Sequence, residues 1–189
     1  MKALLVEQDY IDASKLLNCE VSAIKAVTQV ESGGYGFLPD DRPKILFEAH
    51  YFHNLTGGKY DVSHPNISSP IWDRKLYKGG ALEYTRLAEA QKLDSTCALE
   101  SASWGMFQIM GGNFHSCGFN TVQDFVTAMQ KDSRSHLMAF CQFVIHNNLA
   151  RFLQAKNWAS FAYSYNGAGY AQNKYDTKLA NAYNSFNHK

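Results

Sequence analysis

Apolar residues recur at helical spacing in two segments near the start of the chain. The first segment spans residues 9–17 and the second residues 21–31; their apolar positions are Ile11, Ala13, Leu16 and Leu17, then Val21, Ile24, Val27 and Val30. Asn18 lies between the segments, and asparagine often ends a helix in the left-handed conformation. Gly33, Gly34 and Gly36 follow the second segment and predict its end. The domain is therefore predicted to open with a pair of helices.

The next part of the chain is rich in residues that interrupt regular structure. Pro39 and Pro43 extend the break, and the apolar run 45–47 then predicts a short buried strand or turn. Residues 54–80 carry Gly57, Gly58, Pro65, Pro70, Gly79 and Gly80. That is too many breakers for a long regular element, so we expect an irregular region or a small β excursion there.

Helical patterns return in the second half of the chain. They cover residues 81–93, 121–131, 133–147, 157–166 and 175–186. In the 133–147 segment one apolar stripe contains Leu137, Phe140, Cys141, Val144 and Ile145, so this helix is predicted to lie in the middle of the core. We find no internal repeat and no linker, which favours one mostly helical domain.

Composition and charge exclude several classes of protein. The 189 residues are 46% hydrophobic and carry a formal net charge of +1, which is typical of a packed globular domain and gives no indication of a nucleic-acid partner. The longest apolar run, residues 137–141, is far shorter than the roughly 20 residues that span a bilayer.

The amino terminus and the cysteines bear on the cellular compartment. The first residues, Met1-Lys2-Ala3-Leu4-Leu5-Val6-Glu7, are too short an apolar stretch for a secretory signal, so we expect synthesis and initial retention in the cytoplasm. The four cysteines, Cys19, Cys97, Cys117 and Cys141, contain no C-x-x-C pair. Buried free thiols are therefore expected rather than a disulfide framework or a zinc finger.

Glu31 lies where an apolar helix meets a glycine-rich stop. The carboxyl end of a helix carries partial negative charge, which disfavours an ionised carboxylate, and burial raises its pKa in the same direction. A carboxylic acid that stays protonated near neutral pH is what a general acid requires. The alternative for Val30-Glu31-Ser32 is a solvated glutamate in the last turn of a helix.

Other carboxylates are candidates for a second acidic residue. Glu48 lies between apolar and aromatic residues, where an unpaired charge is costly, so it is either functional or paired with Arg42 or His50. Asp40 and Asp41 fit the capping of a Pro-Asp-Asp turn and remain candidates.

Two further segments combine aromatic rings with amides. In Ser103-Trp104-Gly105-Met106-Phe107-Gln108-Ile109-Met110-Gly111, the Trp104 indole suits the face of a sugar ring and the Gln108 amide suits hydroxyl or acetamide groups. The alternative there is a buried helix in which Gln108 is internally satisfied. Tyr165 and Asn166 end a predicted helix and form a polar cluster or a simple cap.

The remaining candidate chemistry is weaker. His50, His53 and His64 are potential metal ligands, but their spacing matches neither H-E-x-x-H nor a Cys/His finger, so we predict no metal. Nucleotide-binding glycine loops and the G-x-S-x-G elbow of serine hydrolases are absent from the sequence.

Taken together, the motifs resemble a known family. Val30-Glu31-Ser32, residues 105–109 and Ser164-Tyr165-Asn166-Gly167 are similar, in order and approximate spacing, to the E-S, G-L-M-Q and A-Y-N signatures of goose-type lysozymes and lytic transglycosylases. More closely, residues 26–37, 42–52, 103–111 and 165–167 resemble the N-acetylmuramidases of phage and prophage endolysins. The similarity covers roughly residues 9–186.

The resemblance implies a fold, an activity and residue roles. It implies an α+β, predominantly α-helical, lysozyme-like single domain with a small β or irregular lobe over residues 1–189, with no separate wall-binding domain. It implies hydrolysis of the β-1,4 bond after N-acetylmuramic acid in peptidoglycan without a cofactor. Glu31 becomes the general acid and Glu48 the expected second carboxylate. Gln108, Tyr165 and Asn166 become residues of the substrate groove, and Ser32 neighbours the acid in its motif. Together with Trp104, which is proposed above from its aromatic ring, these are the predicted substrate-binding residues.

Three alternatives stay open at this point. A lytic transglycosylase uses one acid/base glutamate and yields a 1,6-anhydro product. A non-catalytic peptidoglycan-binding module would need only the aromatic and amide groups. A zinc peptidase or amidase would use the three histidines.

The carboxyl-terminal region has its own charge. Residues 150–189 contain Arg151, Lys156, Lys174, Lys178 and Lys189 against Asp176 alone, a formal +4, and this leaves −3 for residues 1–149. Such a segment either contacts anionic envelope lipids or forms an ordinary solvated helix face. We expect a monomer that acts on the periplasmic cell wall after release through a phage-encoded membrane pore.

Overall fold

The computed structural model describes residues 2–33 and 35–187 of the chain. The described elements form a mostly helical domain with a small sheet, which confirms the predicted α+β class. The helices are α1 Glu7–Leu17, α2 Val21–Ser32, α3 Ala49–Thr56, α4 Glu83–Leu93, α5 Ser95–Glu100, α6 Val122–Lys131, α7 Ser133–His146, α8 Ala150–Gln154, α9 Trp158–Asn166 and α10 Tyr175–Asn187. Short 3₁₀ turns occur at Arg74–Leu76, Gly80–Leu82, Gly111–Asn113 and Ala168–Ala171.

Helix ends lie close to where the sequence predicts them because capping residues set them. Asn18 ends α1 in the left-handed conformation, with φ of 49°, and Gly33 ends α2 with φ of 60°. The side chains of Thr121, Asp132 and Asn157 accept hydrogen bonds from the first turns of α6, α7 and α9. Gly34 lies outside the described residues.

Helix α7 runs through the core as predicted. Leu137, Phe140, Cys141 and Val144 are fully buried, whereas the side chain of Ile145 is 41% exposed. The four buried residues occupy i, i+3, i+4 and i+7, which is one face of a helix, and Ile145 lies just beyond that face. Within the described residues, no helix has the length and apolar character needed to cross a membrane.

The small sheet combines one strand that the sequence predicts with two that it does not. Strands β1 Ile45–Phe47, β2 Ala102–Trp104 and β3 Ile109–Met110 pair antiparallel in the order β1-β2-β3, with Ile45 opposite Trp104 and Trp104 opposite Ile109. The strand prediction for residues 45–47 is confirmed. Of the two alternatives predicted for residues 54–80, the structure shows the irregular region and not the β excursion, since that segment holds the end of α3, turns and 3₁₀ turns. Residues 102–110 form a hairpin and not the alternative buried helix.

A buried histidine attaches this hairpin to the helical core. The Nδ1 atom of His136 accepts a hydrogen bond of 3.1 Å from the backbone N–H of Met106, in the hairpin turn. Its Nε2 atom lies 2.6 Å from the carbonyl oxygen of Met129 and donates to it. Burial lowers the pKa of His136, which favours the neutral ring that this pair of bonds requires.

Two glycines make room for the same imidazole. A Cβ atom on Gly36 would lie 2.5 Å from Nδ1 of His136, and one on Gly105 would lie 2.9 Å from its Cε1. Phe37 stacks on the ring at 4.6 Å between centroids. The loop after α2 and the turn of the hairpin are therefore both packed on one side chain of α7.

Gly111 and Gly112, which directly follow the hairpin, allow a test of how closely this part of the chain packs on α5. A Cβ atom on Gly111 would lie 2.1 Å from the carbonyl oxygen of Leu99, whereas one on Gly112 would lie 3.6 Å from that of Glu100. We expect Gly111→Ala to lower the free energy of unfolding by about 1 to 3 kcal/mol or more, because backbone must move. Gly112→Ala is the matched control and should stay within about 0.5 kcal/mol of the wild type. Equal melting temperatures for the two variants in thermal unfolding followed by circular dichroism would contradict this packing.

Candidate active site

Glu31 lies in the last turn of α2, where two cavities meet. A cavity of about 450 Å³ opens on one side and is lined by Glu31, Ser32, Tyr35, Lys44, Leu46 and Gln108, among others. A second cavity of about 310 Å³ opens on the other side and includes Glu31, Gln108, Asn113, Phe143, Asn166 and Tyr175. Glu31 and Gln108 line both cavities. They therefore mark the centre of a cleft that extends in two directions.

The surroundings of Glu31 favour its protonated form. Burial raises the pKa of this carboxyl, and two weaker influences lower it: a hydrogen bond of 3.1 Å from the Asn166 side-chain amide and the positive charge of Lys178. Gly33 ends α2 directly after the site, so the unpaired carbonyls of the last turn lie near the carboxyl. The half-buried carboxyl therefore keeps its proton to a higher pH than an ordinary glutamate.

The end of α9 brings Asn166 to Glu31. The Tyr165 hydroxyl donates a hydrogen bond of 2.9 Å to the carbonyl oxygen of Phe107, in the hairpin. The Tyr165 ring stacks on Phe161 and meets Phe140 edge to face. Tyr165 thus serves as an anchor that fixes the end of α9 against the hairpin, and Asn166 follows it into the cleft.

Gln108 is held rigidly although it is exposed to the cleft. Its Nε2 atom donates to the carbonyl oxygens of Gly105, at 2.8 Å, and Lys44, at 3.2 Å, while its Oε1 accepts from Ser103 Oγ at 2.9 Å. Its backbone adopts φ of 48°, an uncommon conformation for a residue other than glycine. The amide is therefore preorganised and keeps one lone pair of Oε1 for a ligand.

Ser32 lies beside Glu31 and lines the larger cavity. Its hydroxyl donates a hydrogen bond of 2.6 Å to the carbonyl oxygen of Thr28, one turn back in α2. The structure thus brings together four of the residues predicted from the sequence, Glu31, Ser32, Gln108 and Asn166, with Tyr165 behind them.

The structure buries Trp104 and does not place its ring in the cleft, where the sequence analysis expects it to meet a sugar. Its side chain is only 2% exposed, and its indole N–H donates to the carbonyl oxygen of Leu99 at 3.1 Å. Trp104 lies in the central strand, opposite Ile45 and Ile109, so its ring forms part of the core below the cleft.

The other predicted carboxylates are engaged with neighbours of their own. Glu48 precedes α3, accepts a hydrogen bond from the Tyr77 hydroxyl and lies 3.4 Å from Nδ1 of His50. Asp40 pairs with Arg42 at 2.6 Å, and Asp41 accepts from the backbone N–H of Lys2 at 2.8 Å. None of the three lines either cavity, so within residues 2–33 and 35–187 Glu31 is the carboxylate of the cleft.

The three histidines that could serve as metal ligands contact other side chains. His53 Nδ1 lies 2.8 Å from Asp61, and His64 Nδ1 lies 2.9 Å from the Ser63 hydroxyl. Across the part of the chain that the structure describes, no group of three or more His, Cys, Asp or Glu side chains is arranged to hold a metal ion. The four cysteines are free; Cys117 and Cys141 are buried, and Cys19 and Cys97 are half-buried.

Sequence reasoning missed several residues that line the cleft, notably Tyr35, Lys44, Asn113, Phe143 and Tyr175. Tyr35 lies four residues after Glu31, and this closeness in sequence could have identified it. Phe143 and Tyr175 belong to helices distant in sequence, so only the fold places them at the site.

Comparisons with known proteins identify the family of the chain. The family model for N-acetylmuramidase matches residues 20–187. The crystal structure of a Burkholderia AP3 phage endolysin is similar, with a TM-score of 0.92 and 38% identity over 98% of this chain and 73% of that chain. No protein with a curated description gives a significant match. Since the family model spans most of the sequence, the chain belongs to the N-acetylmuramidase family, glycoside hydrolases that degrade peptidoglycan.

Proposed function

We propose that the chain acts as an endolysin that cleaves the β-1,4 bond after N-acetylmuramic acid, with Glu31 as the proton donor. The observation that supports this most strongly is the position of Glu31: a carboxyl with a raised pKa where the two halves of the cleft meet. A glycan strand that occupies both halves has its scissile bond at the centre. The similar phage protein is itself described as an endolysin.

The reaction begins with transfer of the Glu31 proton to the glycosidic oxygen. Bond cleavage leaves positive charge on the sugar and a new carboxylate on Glu31. The Asn166 amide donates to that carboxylate, and Lys178 supplies a nearby positive charge, so both stabilise the ionised product of the transfer. The site thus holds the acid protonated before the step and stabilises its anion afterwards.

The identity of the second carboxylate stays a prediction. Sequence predicts Glu48 as the base that activates water, but Glu48 lies outside both cavities, in contact with Tyr77 and His50. The simplest mechanism for the cleft is therefore one in which Glu31 gives its proton and then, as the carboxylate, takes one back from the attacking nucleophile. Water as the nucleophile gives hydrolysis, and the sugar's own 6-hydroxyl gives the lytic transglycosylase reaction.

Replacement of the proton donor provides the first test. We expect Glu31→Gln to lower the rate of peptidoglycan hydrolysis about 10²- to 10⁴-fold, because the amide has no proton to donate. The measurement is release of muropeptides from purified peptidoglycan, with mass spectrometry of the products. A 1,6-anhydro product, lighter by one water than the hydrolysis product, would show that the enzyme is a lytic transglycosylase and not a hydrolase.

Folding serves as the control for this variant. The pKa of Glu31 is raised in the folded chain, so stability falls as pH rises from the unfolded-state pKa through the folded-state pKa. Glutamine avoids that loss, so the variant should melt at neutral pH at or above the wild-type temperature. A folded Glu31→Gln protein with wild-type activity would remove Glu31 from the mechanism.

The same assay decides the role of Glu48. Since Glu48 lies outside both cavities, we expect Glu48→Gln to keep activity within about tenfold of the wild type, less than loss of a general base costs. If a Glu48→Gln protein of unchanged melting temperature were as inactive as Glu31→Gln, Glu48 would be the second catalytic carboxylate that the sequence predicts.

Lys178 provides a test of pH dependence. Its charge lowers the pKa of Glu31, so Lys178→Gln should raise that pKa and move the alkaline limb of kcat/KM to higher pH. Lys174→Gln is the matched control, since Lys174 does not contribute to the pKa shift of Glu31. The profiles should be measured on purified peptidoglycan at low ionic strength, where charge effects are largest. Superimposable alkaline limbs for all three proteins would contradict this role for Lys178.

Contact of the basic carboxyl-terminal segment with anionic lipids stays a prediction. Lys156 pairs with Glu20 at 2.5 Å, Lys178 lies over the Tyr175 ring at the cleft, and Lys189 lies outside the described residues. The apolar face of α10, Leu179, Ala182 and Tyr183, is buried within the fold. Lys174→Glu therefore tests the contact most cleanly; weaker binding to anionic vesicles with unchanged hydrolysis of isolated peptidoglycan is the result that lipid contact requires.

We also propose that the described domain works as a monomer and reaches the wall through a phage-encoded pore, as the sequence predicts. The similar endolysin chain extends beyond the matched region, since 73% of it is covered.

A further inference from the structure

An exposed tryptophan lies on the loop that follows α3. The side chain of Trp72 is 59% exposed, whereas that of Trp104 is 2% exposed and Trp158 is half-buried. A large aromatic ring in water costs free energy unless it has a partner, and Trp is enriched where proteins bind other molecules. The exposed Trp72 ring is therefore a candidate ligand-binding group.

The Trp72 ring is held in place rather than free. It meets the Tyr77 ring edge to face, with centroids 6.3 Å apart and 61° between the planes. The Tyr77 hydroxyl donates to the Glu48 carboxylate, which fixes the second ring. On the loop itself, the Ser69 hydroxyl donates to the carbonyl oxygen of Ile71 at 2.8 Å, and Asp73 caps the next turn. Binding to such a preorganised platform loses little side-chain entropy.

The platform continues from the active-site cleft. Leu46 on β1 lines the larger cavity, and Glu48 follows two residues later with extended backbone, φ −101° and ψ 98°, so both side chains leave the chain on the same side. Glu48 accepts a hydrogen bond from the Tyr77 hydroxyl, and the Tyr77 ring contacts the Trp72 ring. The loop also reaches the larger cavity at a second point, because Gly80, three residues after Tyr77, lines that cavity.

We infer that Trp72, Tyr77 and Glu48 form a distal subsite for the glycan strand, in which the Trp72 ring stacks on the face of a sugar several units from the scissile bond. This inference rests on the proposed function, since the strand must occupy the cleft. A sugar presents an apolar face and a polar rim, which match the indole and the carboxylate of Glu48. His50, 3.4 Å from Glu48, adds a second polar group at the same place.

The groups linked to the ring fit a glycan, because Trp72 contacts Tyr77, whose hydroxyl bonds the Glu48 carboxylate, a hydrogen-bond acceptor for sugar hydroxyls. The same loop carries Arg74, Lys75 and Lys78, which an anionic membrane attracts, so a membrane is the partner that the test must separate from a glycan. Ile71, whose side chain is 69% exposed, is the immediate neighbour of Trp72 and is equally available to any hydrophobic surface. Substitutions of Trp72 and Ile71 therefore distinguish the two kinds of partner. Stacking on a sugar needs only the Trp72 ring, whereas contact with a membrane uses both side chains.

Steady-state kinetics on glycans of different length test the subsite. The substrates are soluble peptidoglycan strands freed of stem peptides, one set long and one set limited to the units that span the central cleft. On long strands Trp72→Ala should raise KM roughly 5- to 30-fold with kcat unchanged, the loss expected for an aromatic contact of 1 to 2 kcal/mol. On short strands the KM should stay at the wild-type value. Trp72→Tyr should restore most of the affinity, and Ile71→Ala is the matched control.

Binding without turnover separates this inference from the proposed function. In the Glu31→Gln protein, long strands should change the tryptophan fluorescence, and the additional substitution Trp72→Phe should abolish most of that change. A wild-type KM for folded Trp72→Ala on long strands would overturn the subsite even where hydrolysis is confirmed. Equal effects of Trp72→Ala and Ile71→Ala, together with Trp72-dependent binding to vesicles that contain phosphatidylglycerol, would assign the loop to a membrane instead. Absence of hydrolysis by the wild type would contradict the proposed function alone.

Discussion

The cleft depends on a backbone hydrogen bond that ends on a buried imidazole. His136 accepts from the N–H of Met106 and donates to Met129, and both bonds need the neutral ring. The ring also fills the space that Gly36 and Gly105 leave open. One side chain of the central helix therefore positions the loop after α2 and the hairpin turn, and these are the two segments that carry walls of the larger cavity. An unpaired imidazole nitrogen in the core would be costly, so the constraint is strict.

On this frame, the environment of Glu31 balances opposing effects on one carboxyl. Burial at the end of α2 raises its pKa, while the Asn166 amide and the Lys178 charge lower it. Burial dominates, so the acid holds its proton, yet a donor and a cation are present for the anion that forms after transfer. Asn166 reaches this position because Tyr165 anchors the end of α9 on the hairpin. The helical core and the small sheet thus meet at the reacting group.

Much of this architecture follows from local sequence. The long helices were predictable because amphipathic periodicity and capping residues such as Asn18, Thr121 and Asp132 act over a few neighbouring positions. The short helices α3, α5 and α8 span eight residues or fewer and give too little periodicity to detect. The strands were harder still, since pairing between residues 45–47 and 102–104 bridges more than fifty positions.

The site shows the same division between local and distant information. Glu31, Ser32, Gln108, Tyr165 and Asn166 belong to recognisable motifs, so the sequence predicts them as candidate site residues. Side-chain direction was not visible in those motifs: Trp104 points into the core, while Trp72, in a segment without a motif, is exposed. For Glu48 the missing information was its partner, Tyr77, twenty-nine residues away.

The central claim is that the fold keeps Glu31 protonated when an ordinary glutamate has ionised. It is tested most directly by NMR titration of the protein labelled with ¹³C at glutamate carboxyl carbons, with Glu31→Gln to assign the Glu31 signal. The account predicts a midpoint above the ordinary glutamate range, in keeping with the burial that raises this pKa. A midpoint at or below that range would show that Glu31 is ionised at neutral pH and would contradict its role as the general acid.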